Sequence, residues 1–408
     1  MALDRISMTA FENFAIERIV IIQGDNGFEM STAFLTIELC EGISNGLMTG
    51  TISFNDDVNI FDTQLNMRGD EMIELSFYSK RPDLTKAARF AKKFRINSYD
   101  DVAHSSTMAK RIVTMKIESI GSINNEFMTI SKSFSNTGAH AIVAEMLEAI
   151  GYPTDVQNIE PTLYNRDIVI PNITPLEVIG HLSALVQSGD SNSKGDSNFY
   201  FFENRDKVNF VSGTTLLKSD PIASLVYDHE NDSVMYNRVL KYHRVRGMNI
   251  RQQIRDGGLG CSIHSHSLVD KRMKVTPVAA SGVKKIYKPM NSDSWYGGSI
   301  TDNVTVVNIQ SSEDQMYKFI NMGSNGNSVG IRRVNRSSLL AKRALASVAG
   351  NTDITSGSVI ELKTPDLNGG TNTRDSGRWL VNRIVHKITR ESYTMDLELI
   401  SDSDLRRY

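Results

Sequence analysis

The sequence contains little cysteine, with Cys40 and Cys261 as the only two among 408 residues. Cys40 ends a strand-like run, and Cys261 lies in a glycine-rich stretch that we interpret as a loop. A framework of disulfide bonds is therefore excluded. We expect the chain to fold in a reducing cytoplasm.

The sequence also lacks an excess of charge of one sign and a long apolar run. Forty-five Lys and Arg residues against 47 Asp and Glu residues give a formal charge of −2, so bulk charge does not indicate nucleic-acid binding. No apolar run approaches the roughly eighteen residues that a membrane helix needs, and no signal peptide is predicted. We expect contact with a membrane only through partners.

Recognisable catalytic motifs are missing as well. The histidines do not show HExxH-like spacing, and the glycine-rich stretches lack the lysine of a phosphate-binding loop. The best metal candidate is Cys261 with His264 and His266, for which no fourth ligand is apparent nearby. A loop with incidental histidines is the alternative that we prefer. We therefore expect no enzyme, no catalytic residue and no cofactor.

The first 120 residues are almost wholly β in pattern. Six runs alternate or are rich in β-branched and aromatic residues: Arg18 to Ile22, Ala33 to Leu39, Thr49 to Phe54, Met72 to Ser79, Lys93 to Tyr99 and Arg111 to Ile120. A six-stranded antiparallel barrel or strongly bent sheet is the economical interpretation, because closure removes exposed edges.

Residues 121–233 change character and predict a small α+β insert. Apolar residues at helical spacing predict one helix over Thr137 to Gly151. A cap, a proline and a glutamate at Thr174-Pro175-Leu176-Glu177 predict the start of a second. The sequence FYFFENRDKVNFVS, beginning at Phe199, predicts a hairpin with a charged turn.

Residues 234–408 predict a second β-barrel. Strand-like runs lie at Asn237 to Met248, Lys271 to Pro277 and Val283 to Tyr287, and residues 288–336 predict a long exposed excursion. We predict a helix over Ser337 to Gly350, followed by strands at Ser358 to Leu362, Trp379 to Thr389 and Tyr393 to Leu399.

Five residues of this closing segment are candidates for a role in assembly. Leu340, Ala344 and Val348 lie near one face of the predicted helix. Trp379 opens an amphipathic strand and is expected in the core, and His386 lies in the same strand. A hydrogen-bonded histidine of the core or of an interface fits His386 better than a catalytic one.

The segments LLAKRALASVAG, TSGSVIEL and WLVNRIVHKITRESYTMDLELIS resemble the closing part of the baseplate hub proteins of contractile-tailed phages. They also resemble the amino-terminal part of type VI secretion spike proteins. The order of barrel, insert with the FYFFENRDKVNFVS hairpin, and interrupted second barrel is similar to the hub of T-even type phages. The fold class implied is mainly β, with two tail-tube-like barrels and a smaller helix-containing domain.

The resemblance implies a homotrimer whose six barrels form a ring between a sixfold tail tube and a threefold central spike. Its partners would be the tube protein, a separate spike protein and other baseplate proteins. DNA would pass through the channel without specific binding. The chain would be made in the host bacterial cytoplasm and would act in the virion tail baseplate.

Two other functions remain open from the sequence. A tail-associated hydrolase that cleaves the cell wall would need a catalytic Glu or a Cys/His pair in a groove. A carbohydrate-binding β module would need an aromatic platform, for which Trp295, Tyr296 and Trp379 are the available residues.

Overall fold

The computed structural model describes most of the chain in thirteen segments. They are residues 12–57, 59–65, 67–80, 88–104, 110–227, 236–245, 260–267, 272–279, 289–291, 305–312, 326–340, 342–366 and 370–405. The strand predicted at 283–287 and much of the predicted excursion lie outside these residues. A mainly β fold with a helix-containing insert is confirmed.

Seven strands and one short helix form what we call the first unit. They are β1 (Phe14–Gln23), β2 (Asn26–Glu29), β3 (Phe34–Gly42), β4 (Thr49–Asn55), α1 (Ile60–Thr63), β5 (Met72–Ser79), β6 (Arg89–His104) and β7 (Lys110–Ser119). Side chains alternate in burial as the sequence predicts. In β3, Ile37 and Leu39 face the core while Thr36 and Glu38 are exposed.

The insert combines short sheets with packed helices. Its elements are α2 (Ile120–Glu126), β8 (Ile130–Gly138), α3 (Ala139–Ala149), a 3₁₀ turn (Thr154–Val156), β9 (Gln157–Ile159), β10 (Asn165–Ile173), α4 (Pro175–Leu185), β11 (Phe199–Glu203), β12 (Val208–Ser212) and α5 (Gly213–Lys218). Helix α4 begins with the predicted capping box between Thr174 and Glu177, which satisfies backbone donors of the first turn. The predicted hairpin is β11 and β12.

Six further strands form the second unit. They are β13 (Pro221–Val226), β14 (Val239–Val245), β18 (Lys342–Ala349), β19 (Val359–Lys363), β20 (Gly377–Thr389) and β21 (Tyr393–Ser401). Strand β13 lies within the stretch predicted as insert, yet it pairs with β19. A single bridge between Val226 and Arg238 connects β13 to the start of β14, which closes the ring of strands.

A satellite layer interrupts the second unit. It consists of β15 (Gly260–Ser267), β16 (Arg272–Ala279), β17 (Thr305–Ser312) and α6 (Gly326–Leu339). The three strands form their own sheet. Helix α6 packs on it, and a side chain at Gly330 would collide with Val278, Cys261 and Ile263. Glycine therefore permits the close approach of helix and sheet at this point.

The two units have the same spatial order of strands. We number the six strands of each unit from 1 to 6 in chain order, leaving out the short β2. Read from one edge of the sheet to the other, the strands of each unit then follow the order 1-4-5-6-3-2. In the first unit this is β1-β5-β6-β7-β4-β3, and in the second it is β13-β19-β20-β21-β18-β14. One pairing differs in direction, since β1 and β5 are antiparallel while β13 and β19 are parallel.

One hydrophobic core extends through both units. Phe77 of β5 lies edge-on to Tyr393 of β21, with ring centroids 5.7 Å apart, and stacks on Phe90 of β6. Trp379 and Ile384 of the second unit belong to the same cluster of buried side chains. The units are therefore packed against each other as well as joined through their sheets.

The predicted helix over Ser337 to Gly350 is wrong. The segment is the end of α6 followed by strand β18. In β18, Ala344, Ala346 and Val348 are buried and Arg343 and Leu345 are exposed, a period of two that belongs to a strand. Pairing with β14 on one side and β21 on the other outweighs the helical preference of the alanines.

The helix that the structure contains starts earlier, at Gly326, within the predicted excursion. Met290, near the start of that excursion, and Leu339, three residues beyond its end, are buried in one hydrophobic cluster. Within the described part of the chain, no helix is both long enough and apolar enough to span a membrane.

Candidate functional site at the seam between the units

The two units are joined by antiparallel pairing of β3 with β20, which we call the seam. The register runs from Arg383 opposite Gly42 to Thr389 opposite Thr36. Through the seam the two sheets become one continuous sheet. Lys387 lies opposite Glu38 in this register, so opposite charges face each other across the seam.

Lys387 is further fixed by Asp396 on the neighbouring strand β21. Its Nζ lies 2.8 Å from an Asp396 carboxylate oxygen. The hydrogen bond and the charge of Asp396 raise the pKa of Lys387, and Glu38 adds to the effect. Lys387 and Asp396 are nearly half exposed, so this pair contributes more to alignment than to stability.

A buried carboxylate, that of Glu41, lies beneath the seam and connects three parts of the chain. Glu41 is at the end of β3 and is 1% exposed. It accepts hydrogen bonds from the backbone N–H of Arg205 in the insert (3.2 Å) and of Ser356 in the second unit (3.0 Å). A buried carboxylate is tolerated when such donors surround it.

His386 of β20 lies on the other side of Glu41, with Nε2 3.6 Å from Glu41 Oε1. Its Nδ1 is 2.9 Å from the hydroxyl of Tyr393. Burial raises the pKa of Tyr393 well above its ordinary value, and the negative charge of Glu41 raises it further. His386 therefore lies in a buried polar network that is bordered by Phe77 and Phe90 and shielded from solvent.

The β11–β12 hairpin of the insert is inserted between the two units. Glu203 at the end of β11 is buried and lies 2.6 Å from Nζ of Lys92 on β6. It also accepts a hydrogen bond from the backbone N–H of Met48 at 3.1 Å. Two residues later, Arg205 donates from its guanidinium to the carbonyl of Thr352 in the second unit. The charged turn of the hairpin thus contacts both units.

Glu203 also affects Tyr152 at the end of α3. Burial raises the pKa of Tyr152 above its ordinary value, and the negative charge of Glu203 raises it further. The Tyr152 hydroxyl lies 2.5 Å from Ser119 Oγ at the end of β7. The first unit and the insert are therefore joined by a partly buried polar contact here too.

The five residues predicted for assembly lie in or near this region, and their role in assembly stays a prediction. Ala344 and Val348 are buried in the shared core, as is Trp379, whose indole N–H donates to the carbonyl of Asp375 at 3.0 Å. Leu340 is half-buried next to the cluster that contains Leu339. His386 is the one that belongs to the seam itself.

The three metal candidates do not lie in a loop as expected, because Cys261, His264 and His266 are all in β15. Cys261 is buried towards α6, and burial raises the pKa of its thiol. Since side chains alternate along a strand, Cys261 and His264 project to opposite faces. Among the described residues, no group of three His, Cys, Asp or Glu side chains is placed to hold a metal ion.

Sequence reasoning missed Glu41, Glu203 and Lys92. The only signal was the run of acidic and basic residues in the hairpin turn, flanked by aromatic residues. Such a turn ordinarily indicates a solvent-exposed hairpin. In this chain, the residues that bond to Glu203 and Arg205 of the turn lie more than 100 residues away in sequence.

Residues 19–212 match the family described as baseplate structural protein, domain 1. This region covers the first unit and nearly all of the insert. A probable baseplate hub protein of Vibrio phage KVP40 is 24% identical to this chain over 420 residues. The alignment spans 98% of this chain and 97% of that protein, so the similarity includes the second unit.

Two solved structures share the fold over nearly the whole chain. The tail protein from Neisseria meningitidis MC58 aligns with a TM-score of 0.59 at 8% identity, covering 96% of this chain and 97% of its own. The 43 kDa tail protein of prophage MuSo2 from Shewanella oneidensis also gives 0.59, at 10% identity, with coverage of 94% and 98%.

Proposed function

We propose that three copies of this chain, which is similar to a probable baseplate hub protein over nearly its whole length, form the structural hub of a contractile tail baseplate. In this proposal the ring joins the sixfold tail tube to the threefold central spike. It leaves a central channel for passage of the genome.

The observation that carries the proposal is the repeated strand order. Each chain contains two units ordered 1-4-5-6-3-2 and joined by the seam. Three chains therefore supply six similar units, so one ring can present six similar surfaces on one side and threefold symmetry on the other. A closed ring is the usual way for identical subunits to satisfy all their interfaces.

The proposal includes three kinds of partner. They are the tail tube protein, a separate central spike protein and other baseplate proteins. DNA passes through the channel without specific binding, in keeping with the formal charge of −2. The proposed location is the virion tail baseplate, after synthesis in the host bacterial cytoplasm, with no membrane insertion by the chain itself.

The domain boundaries at residues 120 and 233 are part of the same proposal. Because β13 pairs with β19, β13 belongs to the second unit although it precedes residue 233.

The proposal also assigns no catalysis to the chain. The buried charged groups at the seam hydrogen-bond to backbone groups or to each other, as in a structural joint. Purified protein that cleaves peptidoglycan would contradict this part and favour the hydrolase alternative.

Immunogold electron microscopy tests the location. An antibody against the purified chain should label the baseplate end of the tail where the tube meets the spike. Because a buried ring is shielded in the intact virion, tails disrupted by mild denaturant are labelled in parallel. Label at the head, along the tube or on tail fibres in both preparations would contradict the proposal.

A further inference from the structure

We infer that β14 of one copy pairs with the outer half of β6 of the next copy, which closes the ring through two edges that have no partner strand among the described residues. The inference rests on the proposed trimeric hub, and it names the surface through which the copies meet. It follows from the order of the strands within the chain.

The two units are equivalent strand by strand, so each has a second strand and a fifth strand. The second strands are β3 and β14, and the fifth strands are β6 and β20. Within the chain, the seam joins the second strand of the first unit to the fifth strand of the second. If all six junctions of the ring are alike, the remaining second strand, β14, pairs with the remaining fifth strand, β6.

Each of the two fifth strands consists of two halves that differ in their pairing partners. In β20, the residues at the start pair with β19, and the residues from Arg383 onward pair with β3. In β6, residues 89–95 pair with β5, and among the described residues 97–104 pair with β7 alone. The half of β6 that corresponds to the seam half of β20 therefore has one open edge.

The second strands also correspond. Strand β3 pairs with β4 on one side and with β20 on the other. Strand β14 pairs with β18 through Val239–Val245 and ends the continuous sheet among the described residues. An open edge of this length is a site for unwanted association unless a partner covers it, and the next copy supplies such a partner.

The register of this junction follows from the equivalence of the two units. Strands β6 and β20 each have a bulge, at Ile96/Ser98 and at Val381/Arg383, and strands β3 and β14 each have one, at Phe34/Thr36 and at Val239/Lys241. Counting from these bulges, Asp100 corresponds to Val385 and Val245 corresponds to Cys40. Since Val385 lies opposite Cys40 in the seam, Val245 of one copy lies opposite Asp100 of the next. Both side chains are exposed in the single chain, and side chains directly opposite each other on paired strands interact.

A pair of introduced charges tests the inference. Val245→Asp is made alone and together with Asp100→Lys, and the trimer dissociation constant is measured by analytical ultracentrifugation. Val245→Asp should weaken the trimer at least tenfold, because it places a second carboxylate opposite Asp100 at every junction between copies. The double variant should recover affinity to within about threefold of wild type, because the introduced Asp then lies opposite a Lys.

Val169→Asp is the matched control, because Val169 is an exposed valine but lies on β10 of the insert, away from both edges. It should leave the dissociation constant unchanged. Circular dichroism and thermal melting of all variants separate loss of assembly from loss of folding.

The outcomes distinguish the inference from the proposed function. A wild-type trimer that Val245→Asp does not weaken would overturn the pairing of β14 with β6 and leave the hub intact. Weakening by Val245→Asp that Asp100→Lys does not rescue would also overturn this pairing. A wild-type chain that is monomeric at all concentrations would contradict the hub itself.

Discussion

The carboxylate of Glu203 and the ammonium group of Lys92 lie 2.6 Å apart with little exposure to solvent. The pair connects the tip of the insert to the first unit. Removing one member of a buried ion pair leaves the other charge uncompensated and costs about 3 to 5 kcal/mol. We therefore expect Glu203→Ala to lower the free energy of unfolding by about 3 kcal/mol or more, as measured by urea denaturation.

Lys132 and Glu145 provide the control for this variant. They approach to 2.5 Å, but both side chains are nearly half exposed. Glu145→Ala should change the free energy of unfolding by less than about 1 kcal/mol, since exposed pairs contribute little. Equal effects of the two substitutions would show that the Glu203 pair is not buried.

Gly350 should not tolerate a side chain. Its φ is not in the left-handed region, but a Cβ atom at this position would overlap the ring of Tyr393, which is buried in the shared core. Overpacking of this kind typically costs about 1 to 3 kcal/mol. Gly350→Ala should therefore lower the melting temperature of the protein.

Gly180 of α4 is exposed, and no atom lies near the position that a Cβ atom would occupy. Gly180→Ala should therefore stabilise the protein by about 0.5 to 1 kcal/mol.

A charge at Ala344 should unfold the second unit. Ala344 is fully buried in β18, whereas its neighbour Arg343 is exposed. Ala344→Glu would place an unpaired carboxylate in the core, with an expected loss of roughly 3 kcal/mol or more. Arg343→Glu should change stability by no more than about 0.5 kcal/mol. Guanidinium denaturation of both variants checks this, and similar losses would contradict the strand assignment.

We expect the carboxyl group of Glu71 to make the free energy of unfolding depend on pH. Burial raises the pKa of this carboxyl, but hydrogen bonds from the backbone N–H groups of Arg68 and Gly69 and from Gln23 outweigh burial and lower the pKa below its ordinary value. A lowered pKa in the folded state stabilises the protein above the unfolded pKa. That stability is lost as the pH falls through the folded pKa.

Wild type should therefore be more stable than Glu71→Gln at pH 7, and the difference should shrink as the pH falls below about 4.5. Urea denaturation at a series of pH values measures it. Glu145→Gln, at an exposed position, serves as the control. A difference between wild type and Glu71→Gln that stays constant down to pH 3 would contradict the assignment of the pKa.

The strands could be predicted from the sequence where a single face is buried. In β3, Thr36 and Glu38 alternate with Ile37 and Leu39, and the structure follows this pattern. The helix predicted over Ser337 to Gly350 was wrong, because Ala344 and Val348 fit the spacing of a helix but Ala344, Ala346 and Val348 also fit that of a strand. Only pairing with β14 and β21 decides between them.

The seam could not be predicted, because its contacts join distant parts of the chain. Glu41 bonds to Ser356, 315 residues later, and Glu203 bonds to Met48, 155 residues earlier. Nothing local distinguishes these acids from exposed ones. Their burial depends on how the insert docks between the units, and that is a property of the whole fold.

Light scattering combined with negative-stain electron microscopy of the purified chain determines whether it assembles into the proposed hub. We expect particles with the mass of three 45.5 kDa chains. Their images should show a threefold ring of six lobes around a central channel. Monomers, or compact oligomers without a ring, would contradict the proposed hub.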